Sequence, residues 1–207
     1  MDELEPLPPV IAFDGPQILD WERAASGLAS AIAERGVPVR LHDLGRDFAK
    51  WHTIQTRTAS PELANDPDFG TLADGSLEVL FDRVPRPGPS ADGIIIVYGP
   101  GAALATDGPV IYGDLPKRYA EAAVRGGKGR NLGQPDGAGE ATTRRLFYTD
   151  WPLLDYHRDS ITHRIIRFID LQEPTRPTSI GGDALRSTFR ELASRPFRTR
   201  PTFGPAP

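Results

Sequence analysis

VIYGDLPKRYAEAAVRGGKGRNLG, residues 110–133, decides the fold class of this 207-residue chain. Val110–Tyr112 is a short apolar strand. Asp114 is placed to cap the helix that follows, Pro116 stands where a first-turn proline costs no hydrogen bond, and Gly126 can take the left-handed conformation that ends it. Gly127, Lys128, Gly129, Arg130, Asn131 and Gly133 come next, a glycine-spaced basic segment. Its cations and N–H groups can fold over a phosphate, or it is a solvated basic turn.

Strand and helix patterns alternate on both sides of this stretch. Val10–Phe13 reads as a buried strand stopped by Asp14-Gly15-Pro16. Asp20 then caps a helix whose stripe is Trp21, Ala24, Ala25, Leu28 and Ile32, and Gly36 closes it. Val37, Val39 and Leu41 make a second strand, and strand–helix–strand is the unit of a parallel sheet. Ile94–Tyr98 is an unbroken β-branched and aromatic run that suits the sheet centre. Residues 43–93 predict loops around at most a short helix, with Ser76–Arg83 readable as helix or strand. Leu146–Thr149 reads as a strand leading through Asp150-Trp151-Pro152 into a short helix, and Ile165–Leu171 as the final strand. Asp183 is positioned to cap a last helix bearing Leu185, Phe189 and Leu192. Five or six strands alternating with helices predict a three-layer, doubly wound, mostly parallel α/β sheet. It spans residues 10–194, between a disordered residue 1–9 segment and a 195–207 tail.

The absence of cysteine excludes a disulfide framework, a thiolate nucleophile and cysteine-ligated zinc. MDELEPLPP lacks the order of a signal peptide and no run approaches a membrane span, so a cytoplasmic protein without membrane contact is expected. Net charge is −4, but residues 1–100 hold 8 Lys/Arg against 16 Asp/Glu and residues 101–207 hold 16 against 12. Anion binding therefore belongs to the second half. With no dense basic stripe, the expected partner is a small phosphorylated molecule rather than nucleic acid.

Ile11-Ala12-Phe13-Asp14-Gly15-Pro16 before a helix, an aspartate at the second strand end, Ile94–Gly99 and Asp114-Leu115-Pro116-Lys117-Arg118 together resemble the core of P-loop nucleoside and sugar kinases. Such kinases use a glycine-rich turn ending in Gly-Lys-Ser/Thr to hold nucleotide phosphates and magnesium. Here that turn is Gly15-Pro16-Gln17-Ile18-Leu19-Asp20-Trp21, without lysine or hydroxyl, so ordinary kinase activity is expected to be lost. Val97–Ala102, Asp114–Arg118, Arg130-Asn131-Leu132-Gly133, Phe147–Pro152 and Arg195–Pro201 resemble the N-terminal kinase-like region of two-domain bacterial class I mannose-6-phosphate isomerase-type proteins. That resemblance implies carbohydrate metabolism and a tail that passes into a cupin isomerase domain. Zinc belongs to that cupin domain, which lies outside residues 1–207, so none of its zinc or catalytic residues carries over here.

The expected function is thus a degenerate kinase-like domain that binds a phosphorylated sugar or nucleotide, or assists a cupin isomerase partner. Lys117, Arg118, Arg130 and Arg145 are the phosphate candidates; the first two fall in the first turn of a helix, where anions are favoured. Arg144 and Arg145, adjacent at a strand start, would point to opposite faces. Asp14 and Asp114 are candidates for catalysis or for holding magnesium with a nucleotide, against the alternative of Asp14 as a turn-forming residue. The spacing of His42, His52, His157 and His163 predicts no metal site. Two further readings are a non-standard ATP-dependent phosphotransferase and a structural docking module that uses Phe197 and Phe203.

Overall fold

The computed structural model describes residues 8–60, 62–66, 69–90 and 93–196. Its centre is a six-stranded sheet in the order β2-β3-β1-β4-β5-β6. The strands are β1 (Val10–Asp14), β2 (Val39–Asp43), β3 (Ile94–Tyr98), β4 (Val110–Asp114), β5 (Ile165–Asp170) and β6 (Thr178–Gly181). The first five in this order are parallel, and β6 closes one edge antiparallel to β5. All five residues of β1 and of β3 are buried, as expected for strands covered on both faces.

Alternation along those strands divides the core. Ile11, Phe13, Ile94, Ile96 and Tyr98 meet α1 (Trp21–Ala33) through Trp21, Ala24, Leu28 and Ile32. Val10, Ala12, Ile95 and Val97 face the opposite way, onto Leu44, Ile54 of α2 (Trp51–Arg57), and Leu153, Leu154 and Ile161 of α5 (Trp151–Ile161). Helices on both faces make three layers, and each fully buried side chain such as Phe13 contributes about 1.5–3 kcal/mol. Asp20 caps α1, its carboxylate accepting from Arg23 N at 3.2 Å.

Several local expectations are corrected. Asp114 ends β4 and does not cap α3 (Lys117–Arg125), whose N-cap is Pro116 with no side-chain hydrogen bond. Gly126 has φ −83°, and the left-handed residue is Gly127 at +68°. Leu146–Thr149 is no strand. It belongs to a π turn, Leu146–Asp150, that joins α4 (Thr143–Arg145) to α5 in one continuous helical path. Thr142 caps that path by accepting from Arg145 N, so Arg144 and Arg145 lie on a helix. Asp183 lies in the first turn of α6 (Gly182–Ala193) and pairs with Arg186, while the N-cap is Gly181. β6 was not foreseen, α2 is a short helix of the kind that residues 43–93 allowed, and β5 is not the final strand. Phe197 and Phe203 lie outside the described residues.

Candidate functional site

Parallel register sets the carboxyl ends of the central strands side by side. Asp43 aligns with Tyr98, Tyr98 with Phe13, and Asp14 with Tyr112. Ligands of open α/β sheets bind beyond this edge.

Asp14 is wholly buried at its centre. One carboxylate oxygen accepts from Gly15 N at 2.7 Å and Gly101 N at 3.1 Å; the other accepts from Ala103 N at 2.8 Å and from His157 Nε2, also 2.8 Å away. Gly101 can donate because the turn after β3 needs its φ of +87°, a conformation open to glycine. Arg164 holds the same connection from its other end, donating to the carbonyls of Ala103, Thr106 and Gly108. With four donors on two oxygens, Asp14 has no acceptor position left for magnesium or for a substrate hydroxyl. It is the internal anion that organises the β3–β4 connection, which removes it from the catalytic candidates.

Beside this cage opens a cleft of about 670 Å³. Gln17 and Ile18 of the β1–α1 turn, Asp43 at the end of β2 and Gly99-Pro100 at the end of β3 form one wall. Trp21, Phe48 and Trp51 supply aromatic surface, and Lys128 to Pro135 form the other side. Trp21 is fixed: its indole N–H donates to Pro16 O at 3.2 Å, and its ring meets Phe13 edge-on at 5.3 Å. Arg46, Lys50, Lys128 and Arg130 bring four cations to the rim. The lining carboxylate, Asp43, is already engaged by Gly45 N at 2.9 Å and Arg46 at 3.4 Å. Among the described residues, Lys50 and Lys128 have no carboxylate partner, and both are exposed. The cleft therefore presents uncompensated positive charge beside flat apolar walls. Such a combination suits a phosphorylated molecule with a planar or ring-shaped body.

The basic segment is anchored along its second half. Asn131, Leu132 and Gln134 are buried. Asp150, also fully buried, accepts from Asn131 Nδ2 at 2.8 Å and Leu132 N at 3.1 Å, and its other oxygen lies 3.3 Å from Arg145 Nε. Burial pushes the Asp150 carboxyl up to about 6, against the opposing pull of Arg145 and of those two hydrogen bonds. Arg145 also donates to Thr58 Oγ1 at 3.0 Å and lies over the Trp51 ring at 4.8 Å. This network fixes one wall of the cleft to the helical path behind it.

The sequence-derived candidates do not converge on one point. Arg130 borders the cleft and pairs with Asp136 at 3.2 Å. Lys117 pairs with Asp155 over the Trp151 ring; with Asp114 it borders a separate compartment of about 40 Å³ that Tyr112 and Arg158 also line. Arg118 bonds Gln172 at 2.8 Å outside both spaces. Arg145 is the partly buried partner of Asp150 and borders a third space, beside residues 57–60 and 70–74. Among the described residues, no three His, Asp or Glu side chains converge as a metal ion requires, and no helix is long and apolar enough to cross a membrane. Lys128 lies in the glycine-spaced basic segment that the sequence singled out, whereas reasoning from sequence missed Gln17, Trp51 and Lys50 as cleft residues. Those three share no spacing motif, and only the fold brings them together.

Over residues 1–194 the chain matches the family described as Domain of unknown function (DUF8485), and it belongs to that family. No curated protein matches it.

Proposed function

We propose that this member of the DUF8485 family is a degenerate kinase-like domain whose carboxyl-edge cleft binds a phosphorylated sugar or nucleotide without transferring its phosphate. One observation carries the reading: a cleft of about 670 Å³ with Trp21 and Trp51 in its walls and, at its rim, Lys50 and Lys128, which have no carboxylate partner among the described residues. The turn between β1 and α1 has the strand–loop–helix setting of a phosphate loop. Its sequence lacks the lysine and the hydroxyl that phosphoryl transfer needs, and Asp14 already occupies nearby backbone donors. Binding without transfer is what such a site retains. The sugar-phosphate connection rests on the resemblance to isomerase-type proteins, in which this domain would present or sense ligand for a cupin isomerase partner.

Calorimetric titration with mannose 6-phosphate, fructose 6-phosphate and ATP tests the proposal. Saturable heat with at least one, lost in a Lys50→Ala/Lys128→Ala variant that retains its melting temperature, is the expected result. Absence of binding by all three overturns it.

A further inference from the structure

Gln17 occupies a position that a packed interior does not explain. Both polar atoms of its side chain, Oε1 and Nε2, are buried and have no hydrogen-bond partner among the described residues. An unsatisfied buried donor or acceptor costs about 1–3 kcal/mol, so a primary amide orphaned at both ends is a standing penalty unless something outside the chain meets it. The residue lies in the β1–α1 turn and lines the cleft between Trp21 and the end of β3. It is held there by its neighbours. Gly15, two residues earlier, packs so closely that an added Cβ would stand 2.3 Å from Gly113 O, and Pro16 O is fixed by the Trp21 indole.

Resting on the proposed phosphate-ligand reading, we infer that the cleft takes a nucleotide and that Gln17 reads the edge of its base. A primary amide offers a donor and an acceptor side by side. The complementary group must offer an acceptor and a donor at the same spacing, as the hydrogen-bonding edges of nucleobases do. Base-sized flat surface is present in the same cleft. Trp21 is immobilised by Pro16 and Phe13, and one face of Trp51 is covered by the Arg145 guanidinium, so both rings are set before ligand arrives. The cations Lys50 and Lys128, with Arg130 beside them in the same cleft, are then left for the phosphate. A hexose phosphate would meet the cations, and its hydroxyls can pair with the amide, but it has no aromatic ring to stack on Trp21 and Trp51.

Gln17 also borders the compartment of about 40 Å³, which has room for a water molecule. A water held there is the competing explanation for the amide, and it makes the opposite forecast.

The test uses Gln17→Leu, which keeps side-chain bulk and removes the amide. AMP, CMP, GMP, UMP, ribose 5-phosphate and mannose 6-phosphate are titrated into the wild type and the variant, and melting temperatures are measured without ligand. We expect at least one nucleoside monophosphate to bind tenfold or more tighter than ribose 5-phosphate. In Gln17→Leu that advantage should fall to threefold or less, ribose 5-phosphate affinity should be unchanged, and the melting temperature should hold or rise. A lowered melting temperature with nucleotide preference intact assigns the amide to a structural water and overturns the inference. Equal affinity for nucleotides and both sugar phosphates overturns base reading while leaving phosphate-ligand binding standing. Binding of none of the six overturns both.

Discussion

Replacing Asp14 by alanine removes the acceptor for four buried donors at once: the backbone N–H groups of Gly15, Gly101 and Ala103 and the imidazole of His157. Each orphaned buried donor costs about 1–3 kcal/mol. These losses share one acceptor and are not additive, so we expect Asp14→Ala to lose about 4–6 kcal/mol of stability. That is a large part of the roughly 5–15 kcal/mol available to an ordinary domain. Asp14→Asn keeps the shape and one oxygen but turns an –NH₂ toward donors, and should lose about half as much, roughly 2–3 kcal/mol. Urea unfolding followed by far-ultraviolet circular dichroism gives both values from the shift in midpoint at constant slope. A midpoint within about 0.5 kcal/mol of wild type for Asp14→Ala, the ordinary surface range, would refute the cage and return Asp14 to the list of ligand-facing carboxylates.

Three other perturbations follow from the same packing. Asp150, held up at about 6 from an ordinary 3.8, binds its proton more tightly when folded than when unfolded. Its contribution is therefore fullest below about pH 4 and is lost as pH rises through about 6; the stability difference between wild type and Asp150→Asn should slope downward across that window, and an upward slope would contradict the assignment. Arg164→Ala frees the carbonyls of Ala103, Thr106 and Gly108, and thermal unfolding should show a loss of about 2–4 kcal/mol. Arg130→Ala breaks an exposed pair with Asp136 worth at most about 1 kcal/mol of stability, yet should weaken a phosphorylated ligand by about 1.5–3 kcal/mol in calorimetry. Lost stability with unaltered affinity would make that arginine structural.

The sheet was legible because its central strands are continuous apolar runs. Ile94–Tyr98 and Val10–Phe13 are buried throughout, and α1 carries both its stripe and its aspartate cap. The helical path from Thr143 to Ile161 was not legible. Its buried face runs Leu146, Asp150, Leu153, His157 and Ile161 at helical spacing, but two of those five are polar, so the apolar periodicity disappears from the sequence. The same two side chains hold the site together, His157 on Asp14 and Asp150 on Asn131 and Leu132. β6 was hidden for another reason. It is four residues long and exposed for most of its length, which leaves no hydrophobic signal. The carboxyl-edge position of Asp14 was readable, whereas its saturation by donors 87 to 143 residues away was not. Lys117, Arg118 and Arg145 were chosen as cations, yet each is engaged by another side chain within the chain. Among the described residues, the cleft cations without a carboxylate partner are Lys50, which no motif marks, and Lys128, which belongs to the basic segment.

Of the three tryptophans, Trp21 and Trp51 line the cleft, while Trp151 lies behind it against Lys117 and Phe147. Their indole N–H resonances in a nitrogen-15-labelled sample therefore report ligand position directly. During titration with a nucleoside monophosphate or mannose 6-phosphate, the Trp21 and Trp51 signals should shift saturably and together, with Trp151 left in place. If none of the three moves at saturating ligand, or if Trp151 alone moves, the cleft is not where a phosphorylated molecule binds.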